Sequence, residues 1–320
     1  MDNVIDRLLK SEEPSVRYKV RVGVLGEAPQ SRAVRRLQGQ IRRSPRVRSL
    51  LSERTADGRT PRGAYSKWDG AHWLLAMLAD IGYPPGDVSL IPLRDQVCQT
   101  WLSAGHLKKV RTIDGRTRRC GSQEGNAVWS ILTLGLADER VDQLVENLLR
   151  WQWPDGGWNC DKRPAAINSS FHETLIPLRA MALYGRLTGR RRALAAAKRA
   201  ADVFLKRRLF RRQRDGAVMD PSFLKLHYPP YWHYDLLFGL KVLAEAGFIR
   251  DRRCREGLDV LQSKRLPDGG WPAEARYYYL GARNGSGRSL VAWGGANRRC
   301  MNEWVTADAL FVLRQARRLP

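Results

Sequence analysis

Six mostly apolar stretches recur along the chain, and each of them opens on small or polar residues. They begin near residues 14, 70, 125, 169, 231 and 302. A helix that is apolar nearly all round is a buried helix, so these stretches predict an inner layer of helices. Amphipathic segments such as 141–151 and 253–262 lie between them, carry charge on one side, and predict an outer layer.

The same short turn follows two of the amphipathic segments. Residues 152–158 read QWPDGGW, and the sequence PDGGW returns at residues 267–271 after Gln262. Glycine adopts positive φ at little cost, so the paired glycines let the chain reverse direction between helices. Trp158 and Trp271 are then expected to pack across the gap between the paired helices. A turn repeated in this way indicates stacked or closed helical hairpins.

Alternating buried and half-exposed helices predict an all-α protein, folded as a single-domain α/α toroid of about six helical hairpins. In such a toroid an outer ring of helices surrounds an inner ring. A straight solenoid is the main alternative, but its inner helices are seldom apolar all round. No Pro/Gly/Ser-rich linker divides residues 1–320, so we predict one domain, with a first hairpin at about residues 1–66. Segments 105–119 and 277–297 are predicted loops at one end of the ring.

Composition supports a large packed core, since 43% of the 320 residues are hydrophobic and 11 of them are tryptophan. No apolar run reaches the roughly 18 residues of a membrane-spanning helix, so no transmembrane segment is predicted. The first residues lack the basic-then-apolar order of a secretory signal. Five cysteines are scattered at positions 98, 120, 160, 254 and 300, unlike a disulfide framework. We therefore expect a reducing, cytoplasmic location.

The formal net charge of +24 is large, and arginine is concentrated in residues 32–62 and 190–214. A field of this size attracts polyanions such as nucleic acid, anionic lipid or diphosphates. It leads to an alternative function, a basic helical-repeat module that binds nucleic acid or another polyanion without catalysis. In residues 190–214 apolar residues recur at helical spacing, which places the arginines on an outward face. A solvated face or an arginine-rich coding bias explains the same charge.

Titratable residues occur at the starts of the predicted inner helices, where burial is costly. In a ring of helices these positions converge on one end of the cavity, beside helix N-termini that carry partial positive charge. Imidazole titrates near neutrality and a neighbouring carboxylate tunes it, so these groups are suited to proton transfer. The candidate catalytic residues are His72, His172, Glu173, His233 and Asp235. For Glu173, closing the first turn as a helix cap is the alternative.

Aromatic residues flank the same helix starts and would line an apolar pit. Such rings bind an apolar substrate and stabilise a cationic intermediate through cation–π contacts. The candidate substrate-binding residues are Trp68, Trp73, Glu124, Asn126, Trp129, Tyr231, Trp232, Glu303 and Trp304. The alternative for each aromatic ring is that it fills the core. The sequence thus favours an enzyme with a small apolar substrate.

The turn motifs resemble those of two enzyme families. QxxxGxW at residues 152–158 is similar to the QW motif repeated in squalene and oxidosqualene cyclases. DGGW at residues 155–158, followed by Pro164, His172 and Thr174, resembles the repeat of protein prenyltransferase β subunits. Both families are α/α toroids that bind isoprenoid chains in a central cavity. The resemblance, over about residues 68–313, implies a terpene cyclase- or prenyltransferase-like enzyme that performs acid–base chemistry on an isoprenoid-type substrate.

The sequence also departs from these families. It has neither the DxDD acid motif of class II terpene cyclases nor a DDxxD magnesium motif, and three extra residues follow Gln262 in the second turn. Standard squalene cyclisation is therefore not expected. The prenyltransferase resemblance implies a zinc site, for which Asp155 or Asp161, Cys160 and His172 form the candidate ligand set. Free buried cysteine is the alternative for Cys160.

Overall fold

The computed structural model describes residues 2–281 and 285–319, and these residues form fourteen α-helices. The first seven are α1 (Asp2–Leu9), α2 (Pro14–Tyr18), α3 (Arg32–Arg43), α4 (Pro45–Leu50), α5 (Ala71–Asp80), α6 (Ile91–Trp101) and α7 (Ala104–Leu107). The other seven are α8 (Gly121–Thr133), α9 (Glu139–Trp151), α10 (Phe171–Thr188), α11 (Arg191–Leu205), α12 (Leu236–Glu245), α13 (Arg255–Ser263) and α14 (Glu303–Gln315). A π-helical turn, Lys19–Val24, directly follows α2.

Two short antiparallel sheets accompany the helices in the described residues. β1 (Arg111–Ile113) pairs with β2 (Arg116–Arg118), and β3 (Pro272–Ala273) pairs with β4 (Asn297–Met301). β1 and β2 form a hairpin inside the segment predicted as a loop at 105–119. The prediction of a helical protein is confirmed as a mostly α structure with these small additions.

The apolar stretches of the sequence form α2 with its π-helical turn, α5, α8, α10, α12 and α14. These elements contact one another in chain order: α5 packs against α8, α8 against α10, α10 against α12, and α12 against α14. α14 packs against the π-helical turn, and Lys19 of that turn forms an ion pair with Asp80 at the end of α5 (2.8 Å). The contacts therefore return to the first helices of the chain.

The amphipathic segments pack on the outside of these helices, because each has an apolar face to bury and a charged face that stays in solvent. In α9 one face is buried and packs against α8, while Asp142, Gln143 and Arg150 are exposed. α6, α11 and α13 pair in the same way with α5, α10 and α12. Each fully buried large apolar side chain contributes about 1.5–3 kcal/mol, so the paired faces hold the two layers together.

The turn at residues 152–158 joins α9 to α10 through its tryptophan. The Trp158 indole N–H donates to the Leu148 carbonyl oxygen (3.0 Å) on α9, and its backbone N–H donates to Thr174 Oγ1 (3.1 Å) on α10. Gly156 has a φ of +106°, and a Cβ there would lie 2.4 Å from the Arg199 carbonyl oxygen. Only glycine fits this position, because the positive φ and the close neighbour both exclude a side chain.

The second turn repeats these bonds. The Trp271 indole donates to the Leu261 carbonyl oxygen (2.7 Å) on α13, and its backbone N–H donates to Thr306 Oγ1 (2.9 Å) on α14. Both tryptophans are fully buried. The expectation that they pack across the gap between paired helices is thus confirmed, and their role is structural.

α10 is the longest helix described, with 18 residues, and it packs closely on α8. A Cβ added to Gly125 of α8 would lie 2.8 Å from the Pro177 nitrogen, so glycine allows the two backbones to approach. In the described part of the chain no helix is both long and apolar enough to cross a membrane.

Two observations bear on the position of the site. The helix predicted from residue 231 begins only at Leu236, because Asp235 caps α12 by accepting a hydrogen bond from the Phe238 backbone N–H (2.7 Å). Residues 282–284 of the predicted loop at 277–297 lie outside the described residues, and the described part lies against the residues that precede α5. The Trp68 backbone N–H donates to the Arg288 carbonyl oxygen (3.0 Å) and the Trp68 indole to that of Tyr277 (2.8 Å).

Candidate functional site

A group of aromatic and imidazole rings lies at the N-terminal ends of the inner helices. We call it the ring cluster: Tyr65, Trp68, His72, Trp73, Tyr231, Trp232, His233 and Tyr277. Ring contacts run without a break from His72 through Trp73 (4.7 Å between centroids) and Trp68 (4.8 Å) to His233 (5.7 Å). They continue to Trp232 (4.1 Å) and from there to His172 (5.5 Å). The structure therefore brings together the three histidines predicted from sequence.

His72 has both ring nitrogens occupied. Its Nδ1 accepts a hydrogen bond from the Trp101 indole (3.3 Å), and its Nε2 lies 3.2 Å from the Asn126 amide. Burial lowers the pKa of His72 to about 3, so the ring is neutral at ordinary pH. The Trp101 indole can only donate, so Nδ1 accepts and the single N–H of the neutral ring is on Nε2, which requires the Asn126 amide to present its oxygen to that N–H. His72 is better placed to hold Asn126 and Trp101 than to transfer protons.

His233 is sandwiched between two aromatic rings. Its ring stacks on Trp232 at 4.1 Å and on Tyr277 at 3.8 Å between centroids. Burial, together with the nearby His227 and His172, lowers the pKa of His233 to about 3. Among the described residues, no group makes a hydrogen bond to His233 Nδ1 or to the Trp232 indole nitrogen.

Asp235 pairs with a histidine that the sequence interpretation did not single out. The Asp235 Oδ2 atom lies 2.7 Å from Nδ1 of His227 and accepts a hydrogen bond from the His227 backbone N–H (2.8 Å). Both side chains are about 1% exposed. The other ring nitrogen, His227 Nε2, is buried and has no hydrogen-bond partner among the described residues. The Asp235 carboxylate thus orients the imidazole through Nδ1 and leaves Nε2 without a hydrogen-bond partner among the described residues.

The environment of His227 favours its protonated form. Burial by itself lowers the pKa of this histidine, but the Asp235 carboxylate outweighs burial, with smaller contributions from the carbonyls of Lys225 and Pro230, and the pKa is raised. The His227 ring lies 4.8 Å from Tyr277 and 6.1 Å from His233. Nε2 is therefore a buried acid or base at the edge of the ring cluster.

These environments predict distinct titrations of the three buried histidines. In long-range ¹H–¹⁵N spectra, His72 and His233 are expected to stay neutral down to pH about 3, while His227 titrates above its usual 6.5. The pKa values of His72 and His233 are lower in the folded than in the unfolded protein, so these two residues reduce the stability of the fold as pH falls below 6.5. His227 acts oppositely: its stabilisation is present below 6.5 and is lost as pH rises through its folded pKa.

Assignment of the signals uses one His→Asn variant for each residue. A His227 resonance that titrates below 6.5 would contradict the pairing with Asp235. An Asp235→Asn variant provides the control, because asparagine still caps α12 and the pKa of His227 is then expected to drop.

Glu173 faces away from the histidines. Its Oε2 accepts hydrogen bonds from the Ser122 backbone N–H (3.1 Å) and hydroxyl (2.7 Å) at the start of α8, and the Cys160 thiol donates to its Oε1 (3.5 Å). Burial raises the pKa of Glu173. Cys120 approaches the same place, and ligand atoms of Cys120, Cys160 and Glu173 all lie within 4.8 Å of one another.

The zinc set implied by the prenyltransferase resemblance is not assembled. Asp155 accepts hydrogen bonds from the Ser169 backbone and hydroxyl, and Asp161 forms an ion pair with Arg163 (2.5 Å). His172 turns towards Trp232 and Phe223. Asp161 serves a local turn by accepting from the Arg163 backbone N–H, and Asp155 links the 152–158 turn to the residues before α10. Of that set, only Cys160 lies in the cysteine–glutamate group.

The remaining predicted substrate-binding residues are distributed over the molecule. Glu124 is fully buried and accepts a hydrogen bond from Arg119 (2.9 Å). Trp129 lies under the Arg179 guanidinium, 3.5 Å from the ring centroid and away from the ring cluster. On α14, Glu303 accepts a hydrogen bond from Ser11 (2.8 Å), and Trp304 stacks on Tyr228 (4.9 Å). Trp68, Trp73, Tyr231 and Trp232 belong to the ring cluster, where Trp68 stacks on Tyr231 at 3.9 Å.

Ion pairs occupy the place where the inner helices meet. Lys19 and Lys241 each bridge Asp80 and Asp308, with four N–O distances of 2.8–2.9 Å that close a ring. Beside this ring lies a cavity of about 230 Å³, whose walls include Trp129, Arg179, Glu245 and Phe311. The centre of the helix assembly therefore contains a neutral network of buried charges and is not a purely apolar cavity.

The sequence carries a signal for this network. Asp80, Lys241 and Asp308 are charged residues on helix faces whose other buried residues are mostly apolar. A lone charge on a buried helix requires a partner of opposite sign, because an unpaired buried ion is very costly. For His227 no comparable pattern exists, since it lies in an irregular segment and meets Asp235 only through the path of the loop.

A surface depression of about 530 Å³ opens beside the ring cluster. It is bounded by Arg62, Tyr65, Ser66, Lys67 and the segment 285–286. The Lys67 ammonium lies over the rings of Trp68 (5.5 Å) and Trp232 (4.8 Å). The depression thus combines positive charge with the aromatic ring of Tyr65, and its Lys67 reaches the rings of Trp68 and Trp232.

The arginine-rich segments contribute many ion pairs to the structure. Arg190 pairs with Glu146 (3.2 Å) across two outer helices, and Arg211 pairs with Glu256 (2.5 Å). Arg46 pairs with Glu13 (2.6 Å) in the other segment. These ion pairs give some of the arginines a local structural role. They do not specifically support a nucleic-acid interface.

The chain matches no protein-family model and no curated protein. Its function is therefore inferred from the site itself. The arrangement to be explained is a buried histidine–aspartate pair with a free ring nitrogen, next to aromatic rings and a basic depression.

Proposed function

We propose that the chain is an enzyme that transfers protons to an apolar, isoprenoid-type substrate, with His227 as the general acid and Asp235 as its orienting carboxylate. The observation that carries the proposal is the His227–Asp235 pair at 2.7 Å with Nε2 left without a partner. Carboxylate–imidazole pairs of this kind hold the tautomer and stabilise the imidazolium during proton transfer.

The surroundings of the pair favour an apolar substrate with an anionic or oxygenated end. The ring cluster offers aromatic faces that attract carbocationic charge, and Lys67 places an ammonium at its rim. Tyr277 packs on both His227 and His233, so it has to move aside for a substrate to reach Nε2. In this proposal the reacting end lies at His227 and the head group in the basic depression.

The α/α toroid is part of the same proposal. Its support is the series of helix contacts from α5 to α14 and on to the π-helical turn, whose Lys19 pairs with Asp80 of α5, together with the pairing of α6, α9, α11 and α13 on the outside of the inner helices. In a closed ring the N-termini of the inner helices share one end, which explains why the predicted histidines come together. We also propose a cytoplasmic location, where the five free cysteines persist as thiols.

Binding of an isoprenoid chain is testable through tryptophan fluorescence. Prenyl diphosphates are expected to change the emission of the purified protein saturably, because Lys67, which lines the depression, lies over the rings of Trp68 and Trp232. The matching prenyl alcohol is expected to bind more weakly, and inorganic diphosphate alone to leave the emission unchanged. Lys67→Ala is expected to weaken the binding of the diphosphate roughly tenfold, which corresponds to one charge-assisted contact of about 1.4 kcal/mol.

Lys198→Ala on the exposed outer face of α11 is the matched control and is expected to bind like the wild type. Equal loss of binding in both variants would assign the effect to overall charge. No response to any prenyl compound would reject the isoprenoid proposal.

A further inference from the structure

Cys120, Cys160 and Glu173 form a group of three potential metal ligands next to the ring cluster. One ligand atom from each lies within 4.8 Å of the other two, and the Cys160 sulfur is 3.5 Å from Glu173 Oε1. All three residues are partly buried and still reach the surface. We propose that these three side chains bind a divalent, zinc-type cation.

Backbone contacts explain why residues distant in sequence meet here. The segment before α8 and the segment after the 152–158 turn are joined by a bridge between Arg118 and Asn159, and the Arg119 backbone N–H donates to the Asn159 carbonyl oxygen (3.1 Å). Cys160 directly follows Asn159, and Cys120 directly follows Arg119. Glu173 reaches the same point from the first turn of α10, which packs on α8.

The distances suit tetrahedral zinc. Bonds of about 2.3 Å to sulfur and about 2.1 Å to oxygen place a sulfur and an oxygen ligand roughly 3.5 Å apart, and two sulfurs roughly 3.8 Å apart. The observed separation of Cys160 and Glu173 already matches the first value, at 3.5 Å. Closing the remaining separations, at most 4.8 Å, takes side-chain movements of about an ångström or less.

The chemistry of the donors selects the metal. Thiolates favour zinc and similar soft or borderline cations over magnesium or calcium, which prefer oxygen. Ser122 holds Glu173 through two hydrogen bonds to Oε2, so Oε1 is oriented towards the thiols as a supported ligand. Three protein ligands leave a fourth position for water or another small ligand, as in catalytic zinc sites.

Cobalt(II) provides a direct spectroscopic test on the whole, reduced protein. After treatment with a chelator and a phosphine reductant, titration with Co²⁺ is expected to produce a thiolate-to-cobalt charge-transfer band and the intense visible bands of tetrahedral cobalt, saturating at one ion per chain. Zn²⁺ is expected to displace the cobalt and abolish both. A thiol titration before the measurement establishes that the cysteines are reduced.

Variants decide whether these residues are the ligands. Loss of a residue that only supports a metal ligand typically weakens binding by roughly 10–100-fold. Cys120→Ser and Cys160→Ser remove ligands themselves, so each is expected to weaken Co²⁺ binding by more than this. Glu173→Gln keeps an acceptor for Ser122 and loses the anionic ligand, so it tests the site without removing the hydrogen bonds to the start of α8. Cys254→Ser, at a buried free cysteine elsewhere, is the matched control and is expected to bind cobalt normally.

Absence of charge-transfer absorption in the reduced wild type, or equal losses in the Cys254→Ser variant, would overturn the proposal. Circular dichroism of each variant distinguishes ligand loss from unfolding. The measurement contains no substrate, so its outcome is separate from the test of prenyl binding and of proton transfer by His227.

Discussion

Replacing Asp80 with alanine is expected to destabilise the protein by about 3–5 kcal/mol, the cost of leaving buried charges without their partner. Asp80 lies within 2.8 Å of both Lys19 and Lys241 and accepts a hydrogen bond from the Tyr228 hydroxyl (2.8 Å). Burial by itself raises the pKa of the Asp80 carboxyl, but Lys19, Lys241 and Arg179 outweigh it and hold the pKa well below its usual value. Chemical denaturation of the variant at neutral pH measures the effect.

The pH dependence has a defined sign. Because the folded pKa of Asp80 is depressed, its stabilisation is present above the unfolded value of about 3.9 and is lost as pH falls towards the folded pKa. The difference between wild type and Asp80→Ala is therefore expected to be constant from neutral pH to about 4 and to shrink only in stronger acid.

Two variants separate charge burial from general damage. Asp259→Ala removes a surface ion pair with Arg318 of 2.5 Å and is expected to cost less than about 1 kcal/mol. Combining Asp80→Ala with Lys241→Ala removes one charge of each sign, so the double variant should be destabilised by less than the sum of the single variants. A strictly additive double variant would contradict the ion-pair network.

Replacing His227 with asparagine is expected to reduce turnover by about 10²–10⁴-fold, the usual contribution of a positioned acid or base. Its buried Nε2 lies beside the ring cluster and has no partner among the described residues, while its Nδ1 is paired with the Asp235 carboxylate. Because the pKa of His227 is raised, its acid form persists to higher pH than that of an ordinary histidine, and activity is expected to fall as pH rises through that pKa. Product formation from a prenyl substrate bound by the wild type provides the assay.

Asp235→Asn tests the mechanism more finely. Asparagine preserves the cap of α12 while removing the charge, so the alkaline loss of activity is expected to shift to lower pH. His106→Asn, at the Glu124 contact (3.0 Å), is the control outside the pair and should retain activity. A variant of His227 that turns over normally would remove it from the reaction.

Local sequence patterns predicted the elements well. The apolar stretch from residue 70 became α5, all of whose residues are buried, and the PDGGW turns placed Trp158 and Trp271 in equivalent bonds to their flanking helices. Such features depend on neighbours a few residues away or on one helical hairpin. The start of α12 was placed too early because the aromatic residues 231–234 look apolar, although they precede the Asp235 cap.

The sequence predicted which histidines gather at the candidate site, but not which residues they and the carboxylates pair with. His72 and His233 do belong to the ring cluster and His172 contacts it through Trp232, as their positions at helix starts suggested. Asp235, however, pairs with His227, and Glu173 faces the cysteines instead of the neighbouring histidine. His172 and Glu173 are adjacent in α10 and point about 100° apart, so they face different partners. Asp235 precedes α12 and meets His227 through the loop before that helix.

By itself, the amino-acid sequence determined a mostly helical chain of buried and half-buried helices, because hydrophobic periodicity and glycine turns act over short distances. The tertiary structure decided which side chains meet. Lys19 and Asp308 are 289 positions apart and form an ion pair, and Cys120 reaches Cys160 through a bridge between two loops. These contacts depend on how each helix is rotated and where each loop returns, and packing of the whole chain sets both.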